Sequence, residues 1–199
     1  MLLLGTICER KGQHDLVHAF AALPPESASR MKCIVVGASD TPYSQELRRK
    51  AKELPGDRRD RFQIIDATAE TAEYWLAADV FCCTSRIESY PRVIQEAMAC
   101  NLPIITTPVY GIAEQIRPEI NALTYQPGDV STLIRHLDRL TKDGLLRLSL
   151  AKCSPWVLRA LPTFDEMIEK YRKTFVAAAE SAVPGWDESF SPTIPRILI

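Results

Sequence analysis

The sequence predicts an α/β fold in which one parallel β-sheet is covered by helices on both faces. Short apolar segments alternate with amphipathic segments from Leu2 to about Asp129, which is the pattern of repeated β-α units. The apolar segments are continuous rather than alternating, as expected for strands that are buried on both faces. Beyond Asp129 the pattern is helical almost to the end of the chain, which predicts a helical C-terminal extension.

The individual elements follow from the same patterns. Strands are predicted over residues 2–4, 33–36, 62–65, 80–84, 104–107 and 123–125. Helices are predicted over about residues 13–23, 43–54, 70–77, 91–99, 130–143, 144–152 and 163–181. We therefore expect a single Rossmann-like domain over residues 1–182 and an extended tail over residues 183–199. Ligands of such sheets bind beyond the carboxyl ends of the strands, which directs attention to the loops that follow them.

The composition is that of an ordinary globular protein. Of its 199 residues, 46% are hydrophobic and 25% are charged. The formal net charge of -1 does not predict the basic surface that a nucleic-acid-binding protein needs. No apolar segment approaches the ~20 residues of a membrane-spanning helix. The sequence predicts a cytoplasmic protein that binds no nucleic acid and reaches a membrane only peripherally, through a partner.

The segment ESYPRVIQEAMA carries the most informative residues. It follows the apolar segment DVFCCTS, and it sets Glu88 in the turn after a strand and Glu96 inside the next helix. Pro91 suits the first turn of a helix because it has no amide hydrogen, so we expect the helix to begin at Ser89 or Tyr90. The free amides of that turn form a natural phosphate site. Carboxylates on either side of a bound phosphate can accept hydrogen bonds from ligand hydroxyls.

Both glutamates also have an ordinary structural interpretation. Ser85 and Glu88 have the spacing of a capping box, although Pro91 moves the helix start further along the chain. Glu96 fits a solvated helix position at the edge of the apolar face. The spacing alone does not decide between these interpretations. A glycosidase pair is disfavoured, because such carboxyl groups lie roughly 5 to 10 Å apart, whereas two helical residues with this spacing would lie ~12 Å apart along the axis.

The segment ERKG is the second candidate. Arg10 and Lys11 follow the first strand and precede a helix, at the edge of the sheet where a phosphate would bind. Arginine can bind phosphate through two parallel hydrogen bonds and lysine as a point charge. The alternative is a solvated helix start, but cations there oppose the helix dipole by a few tenths of a kcal/mol. Residues placed against a local rule favour a functional interpretation.

Other residues and motifs predict no chemistry. The chain has six cysteines without a C-x-x-C pair, and we interpret them as small buried hydrophobic residues in a reducing compartment. His14 and His18 are four residues apart, but both are predicted to face solvent and no third ligand is evident. The sequence contains no G-x-G-x-x-G, P-loop or G-x-S-x-G motif.

These segments, in this order, resemble the C-terminal, donor-binding domain of the retaining GT-B glycosyltransferases of group 1, also called family 4. The resemblance covers about residues 2–171. It is carried by LGTICERKGQHDLVHAFAAL, CIVVG, TAEYWLAADVFCCTSRIESYPRVIQEAMACNLPIITTPVYGIAEQI and NALTYQPGD. Its most specific part is the pair of glutamates separated by seven residues, with a buried strand before it and EAMACNLPIITT after it. It implies half of a GT-B fold, which consists of two Rossmann-like domains.

The resemblance implies a role for each candidate residue. Glu88 would contact the donor sugar and Glu96 the ribose hydroxyls, while Lys11 would bind the diphosphate. The backbone at the helix start would also hold the diphosphate, at Ser89, Tyr90, Pro91, Arg92 and Val93. The base would lie near Ile65, Asp66 and Ala67. We expect Glu88 and Lys11 to be catalytic and no cofactor or metal to be needed, because basic groups and a helix end stabilise the leaving nucleoside diphosphate.

The sequence departs from the family pattern in two ways. Thr6 stands where the family often has an arginine that shares the diphosphate with the lysine, and Arg10 is the candidate substitute. The acceptor-binding domain of complete enzymes is not among these residues, so the resemblance implies a separate acceptor domain or chain as a partner. The expected donor is a UDP-, GDP- or ADP-linked sugar.

Three functions therefore remain open. The leading one is the donor-binding half of a retaining, hexosyl-transferring enzyme of glycan biosynthesis. The second is a non-catalytic module that binds a nucleotide or nucleotide sugar, which Thr6 favours. The third, disfavoured by the spacing of the glutamates, is a flavodoxin-like or epimerase-like domain of the same sheet type.

Overall fold

The computed structural model describes residues 1–181, apart from the side chain of Trp156, and contains one six-stranded parallel sheet. The strands are β1 (Leu2–Leu4), β2 (Cys33–Ala38), β3 (Phe62–Asp66), β4 (Phe81–Cys83), β5 (Ile104–Thr106) and β6 (Ala122–Thr124). Their order across the sheet is β3-β2-β1-β4-β5-β6. All pairs are parallel, with Leu3 opposite Val35 and Leu2 opposite Phe81 at the centre of the sheet.

Helices cover both faces of this sheet. They are α1 (His14–Ala22), α2 (Pro25–Ser29), α3 (Pro42–Lys52), α4 (Asp57–Asp60), α5 (Ala72–Ala77), α6 (Arg92–Ala99), α7 (Ile112–Gln115), α8 (Val130–Lys142) and α9 (Gly144–Arg159). A further helix, α10 (Phe164–Glu180), follows α9 along the chain. Within residues 1–181, no helix is both long and apolar enough to cross a membrane.

Strand residues alternate between two hydrophobic clusters, one on each face. In β4, Cys82 belongs to the first cluster, whereas Phe81 and Cys83 belong to the second. The first cluster includes buried residues of α1, α3 and α8, and the second includes buried residues of α5, α6 and α7. Helices α1 and α6 therefore pack on opposite faces, so their N-termini flank the carboxyl ends of β1 and β4.

The predicted fold class and the six predicted strands are confirmed. Strand boundaries differ by no more than two residues, with β4 shorter and β2 longer than expected. The sequence patterns missed α2, α4 and α7, which have only four or five residues each and show too little periodicity. Helix α9 continues to Arg159 although Pro155 lies inside it, and its C-terminal part packs against the second cluster.

The chain divides into two compact units, Met1–Ala160 and Leu161–Ile199. In the second unit the structure describes α10 and its flanking residues. This helix begins with a capping box, in which Thr163 and Glu166 exchange hydrogen bonds between side chain and backbone. The predicted domain end at residue 182 and the predicted extended tail over residues 183–199 lie outside the described residues.

The six cysteines are free, and they differ in exposure. Cys33, Cys82 and Cys83 are buried, as expected, but Cys8, Cys100 and Cys153 are half-buried. Burial raises the pKa of the Cys33 thiol to about 12 and raises that of Cys82 as well. The sequence-based interpretation of all six as buried hydrophobic residues is therefore wrong for half of them.

We expect iodoacetamide at pH 8 to separate the cysteines into two groups, because the thiolate is the reactive species. Cys8, Cys100 and Cys153 should be alkylated in the native protein, whereas Cys33 and Cys82 should react only after unfolding in denaturant. Peptide mass spectrometry over time gives the rate at each site. Native Cys33 reacting as fast as Cys100 would contradict the burial described here.

His136 makes the stability of the β6–α8 connection dependent on pH. Its Nε2 lies 2.9 Å from the Thr124 carbonyl oxygen, and burial is the main cause that lowers its pKa. The unfolded chain therefore binds the proton more tightly than the folded protein does. Full stability should hold above about pH 6.5 and decrease as the pH falls through about 6.5 toward the lowered folded pKa.

We expect His136→Gln to flatten this decrease, because glutamine does not titrate and its amide can still donate to Thr124. Urea unfolding of both proteins between pH 5 and pH 8 measures the two slopes. His14 has a lowered pKa too and remains in both proteins, so only the difference between the slopes reports on His136. Equal slopes would contradict the prediction.

Candidate functional site

The candidate site lies where the strand order of the sheet reverses. Strands β1 and β4 are neighbours, and the chain continues in opposite directions from them, toward β2 and β3 on one side and β5 and β6 on the other. Such a reversal opens a crevice at the carboxyl ends of the two central strands. The loop after β1 contains a 3-10 turn, Glu9–Lys11, and the loop after β4 leads to α6.

The carboxylate of Glu88 is the centre of this crevice. Glu88 is only 7% exposed, and its Oε1 accepts hydrogen bonds from Ser85 Oγ at 3.2 Å and from Arg10 Nη1 at 3.2 Å. The ammonium group of Lys11 forms an ion pair with the same oxygen. Arg10 is half exposed, whereas Lys11 is largely covered. Two cations from the first loop thus meet one carboxylate from the second.

Main-chain contacts hold the two loops together. The Arg10 carbonyl oxygen accepts from the amide of Arg86 at 2.7 Å and from that of Ile87 at 3.4 Å. The Lys11 carbonyl oxygen accepts from the Thr84 hydroxyl at 2.7 Å. Lys11 therefore does not lie at a solvated helix start, and that alternative interpretation is wrong for it.

Two glycines permit close approach of the main chains at this point. Gly12 has φ +63, and a Cβ there would lie 2.5 Å from the Thr84 carbonyl oxygen. A Cβ on Gly111, in the loop after β5, would overlap the Ser89 carbonyl group. The amide of Gly111 also donates to the Glu88 carbonyl oxygen at 3.3 Å. Larger residues at either position would push the loops away from Glu88.

The helix after β4 begins later than the sequence predicted. Arg92 is the first residue of α6 and Pro91 is its N-cap, so Ser89 and Tyr90 are exposed residues of the preceding loop. Pro91 fixes its own φ at a value suited to this entry and has no side-chain acceptor for the helix amides. Of the predicted diphosphate segment, only Arg92 and Val93 belong to the helix. The capping box predicted as an alternative for Glu88 does not form, because Ser85 and Glu88 precede the helix.

Glu96 lies in the second turn of α6 with an exposed side chain. Ile94, Ala97 and Met98 form the buried face, so the structure gives Glu96 no role in the core. Its carboxylate can accept hydrogen bonds from ligand hydroxyls, or it can remain solvated. The structure thus keeps both interpretations of Glu96 that the sequence left open.

The other predicted residues lie at the carboxyl ends of β1 and β3. Thr6 is exposed after β1, and its carbonyl oxygen accepts from the Gln13 side chain at 2.9 Å. Ile65 is half-buried in the edge strand β3, and Asp66 pairs with Arg48. Ala67 is exposed, and its amide donates to the Ala38 carbonyl oxygen at 2.8 Å. These three residues lie at the end of β3, two strands away from β1.

The histidine pair is packed differently from the prediction. His14 is half-buried against the Tyr43 ring, with 4.4 Å between the ring centroids, and its Nε2 is buried without a hydrogen-bond partner. Burial and the nearby Lys50 lower the pKa of His14. Only His18 faces solvent as expected. Among residues 1–181, no three His, Cys, Asp or Glu side chains lie close enough to hold a metal ion.

Sequence patterns did not single out several residues that support the site. Ser85 was considered only as a cap, yet it donates to Glu88. Asp15 and Arg86 were not considered, and they form an ion pair with 3.0 Å between Oδ1 and Nη2. The available signal was an acidic residue three positions after the K-G pair, together with an arginine two positions after the strand predicted over residues 80–84.

Comparisons with known proteins show the family to which the chain belongs. The family model for "Glycosyl transferases group 1" matches residues 1–154. The chain belongs to the group 1 glycosyltransferases. A putative glycosyltransferase of Bacillus subtilis, YtcC, is 27% identical over 182 residues, which are 88% of this chain and 44% of that protein. The chain spans about half the length, or less, of the curated relatives it matches.

Solved structures of other proteins, glycosyltransferases among them, share the fold. The structure of HepE from Anabaena in complex with UDP-glucose superposes with a TM-score of 0.77 at 22% identity, over 88% of this chain and 48% of that one. The C-terminal domain of the group 1 protein LpcC from Francisella tularensis superposes with a TM-score of 0.70 at 22% identity, over 79% of this chain and 83% of that one. In the comparison with LpcC, this chain therefore aligns with most of a C-terminal domain that was solved on its own.

We expect Gly12→Ala to destabilise the site more than a matched glycine substitution. Gly128, in the turn closed by the Asp129 amide on the Gln126 carbonyl oxygen, also has positive φ, at +83, but nothing lies within 4 Å of the position of its Cβ. Gly128→Ala should therefore cost only the backbone strain, about 1–2 kcal/mol. Gly12→Ala adds the overlap with the Thr84 carbonyl group, so urea unfolding should show a clearly larger decrease in the free energy of unfolding. Equal losses would mean that the close contact of the two loops is not maintained.

Proposed function

We propose that this chain is the donor-binding domain of a retaining glycosyltransferase that uses a nucleotide-linked hexose. The observation that carries the proposal is the meeting of Lys11 with Glu88 beside the N-terminus of α6, at the strand-order reversal. Membership of the group 1 family and the UDP-glucose complex of HepE, a protein of the same fold, support it. Transfer requires an acceptor-binding domain, in the same or another polypeptide, which closes the crevice.

Each charged group then has a task that matches its environment. Lys11 and the first amides of α6 hold the diphosphate, and Arg10 adds a second positive charge at its edge. Glu88 accepts hydrogen bonds from sugar hydroxyls, because it is buried but retains a second carboxylate oxygen. Glu96, exposed in the second turn of α6, binds the ribose hydroxyls. The base lies toward Ile65, Asp66 and Ala67.

The chemistry of the domain is electrostatic stabilisation of the leaving group. When the bond between the sugar and the diphosphate breaks, negative charge grows on the diphosphate oxygens. Preorganised cations and helix amides lower the energy of that charge without further rearrangement. This mechanism uses no cofactor and no metal ion. We expect the domain to act in the cytoplasm on a glycan acceptor, at a membrane where a partner holds it there.

A non-catalytic nucleotide-sugar module is the second candidate. Thr6 favours it, because its short exposed side chain cannot supply the positive charge that the family often has at this position. The two candidates share the donor site, so donor binding does not distinguish them. Sugar transfer after addition of an acceptor domain would distinguish them, since only the first candidate predicts turnover.

Thermal unfolding of the 199-residue chain with UDP, GDP, ADP and their sugar conjugates tests the proposed site. A ligand at ~100 times its dissociation constant adds about 2.7 kcal/mol to the free energy of unfolding. For a domain of this size the midpoint should rise by roughly 5–10 °C. We expect one base to give the shift, and Lys11→Ala and Glu96→Ala each to remove most of it.

Matched control substitutions lie at the opposite edge of the sheet. Lys32 and Glu26 are exposed and precede β2, at the amino ends of the strands. Lys32→Ala and Glu26→Ala should leave the ligand shift unchanged. Loss of the shift in these controls, or no shift with any nucleotide, would count against the donor site. Flavin absorbance in the purified protein would favour a flavodoxin-like domain instead.

A further inference from the structure

One buried carboxylate joins a helix to two loops beside the candidate site. Asp15, in the first turn of α1, is 3% exposed. Its Oδ1 accepts from Arg86 Nη2 at 3.0 Å, and its Oδ2 accepts from the Gly128 amide at 3.0 Å. Both oxygens thus accept a hydrogen bond, as buried polar atoms in proteins usually do. The carboxylate connects α1 to the loops after β4 and β6.

Arg86 connects this carboxylate to the turn that carries Lys11. Its amide donates to the Arg10 carbonyl oxygen at 2.7 Å. Its side chain passes over Gly12, since a Cβ at Gly12 would lie 3.3 Å from Arg86 Nε. The main chain of Arg86 therefore binds the Glu9–Lys11 turn, and its side chain lies against Gly12 at the end of that turn. Asp15 holds the guanidinium group of the same side chain.

We propose that Asp15 and Arg86 form a positioning pair that holds the Glu9–Lys11 turn so that the Lys11 ammonium reaches the diphosphate. The pair does not touch the ligand itself. Two features support this role over a direct contact: Nη2 of Arg86 is bound by a buried carboxylate, and Nε faces the Gly12 turn. The effect on the diphosphate rests on the proposed donor site, whereas the effect on Lys11 does not.

The first experiment needs no ligand. Lys11 is largely covered in its ion pair with Glu88, so acetic anhydride should modify it slowly compared with the exposed Lys52. In Arg86→Gln the rate at Lys11 should rise several-fold, with Lys52 unchanged and Cys33 still protected from alkylation. Unchanged modification of Lys11 would overturn the proposal. A simultaneous rise at Cys33 would also overturn it, because it would reveal general loosening of the fold.

The second experiment separates positioning from direct binding. Calorimetry compares the nucleoside diphosphate that stabilises the wild-type chain with the same nucleoside lacking phosphates. Arg86→Gln should weaken the diphosphate about tenfold, the size expected for a charge-assisted hydrogen bond, and leave the nucleoside nearly unchanged. In a Lys11→Ala background, Arg86→Gln should not weaken binding of the nucleoside diphosphate any further. Arg86→Lys should recover part of the affinity.

The outcomes distinguish the two proposals. Equal losses of affinity for the nucleoside diphosphate and the nucleoside would overturn the positioning role and make Arg86 a structural residue. A further loss of affinity in the Lys11→Ala background would also overturn it and make Arg86 a direct ligand of the diphosphate. If the wild-type chain binds no nucleotide, the donor site fails, and the modification rate of Lys11 alone decides whether Asp15 and Arg86 position it. Asp15→Asn should change the rates at which acetic anhydride modifies Lys11 and Lys52 in the same way as Arg86→Gln.

Discussion

The candidate site depends on direct contact between the loops that follow β1 and β4. Lys11 belongs to one loop and Glu88 to the other, and the buried carboxylate is paired with cations rather than left without partners, which would be costly. The partners can reach it only because the main chain at Gly12 lies against the Thr84 carbonyl group. The sheet order makes β1 and β4 neighbours and brings the loops to one edge. Backbone geometry therefore comes first, and the charge cluster follows from it.

The charges of this cluster do not cancel. Arg10 and Lys11 face one carboxylate, Glu88, and the N-terminus of α6 adds the positive end of its dipole at the same edge. These groups together carry an excess of positive charge at the crevice between the carboxyl ends of β1 and β4. That excess favours an anionic ligand over a neutral one. Asp15 and Arg86 pair with each other and leave this excess unaltered. Glu96 is exposed and one helical turn further on, where an acceptor for hydroxyl groups can act without neutralising the cluster.

The sequence was sufficient for the fold class, for the six strands and for the two loops that form the site, because continuous apolar segments identify strands buried on both faces. It was less successful wherever a contact between distant segments decides the geometry. Pro91 is compatible with the first turn of a helix and with the N-cap, and the structure places it at the N-cap, with the preceding Ser89 carbonyl group against Gly111. His14 was predicted to face solvent from helix periodicity alone, but α3 brings Tyr43 against its ring. The roles of individual residues came from family resemblance rather than from spacing.

The position of Arg10 gives a physical reason why Thr6 need not disable the site. A diphosphate that draws the Lys11 ammonium toward itself would leave the Glu88 carboxylate with fewer partners, and an unpaired buried charge is costly. Arg10 Nη1 and Ser85 Oγ remain on the same oxygen of Glu88, each at 3.2 Å, so the carboxylate would stay satisfied while Lys11 turns to the ligand. In the proposed donor site, a cation supplied from the 3-10 turn can therefore stabilise Glu88 and at the same time contribute charge beside a bound diphosphate.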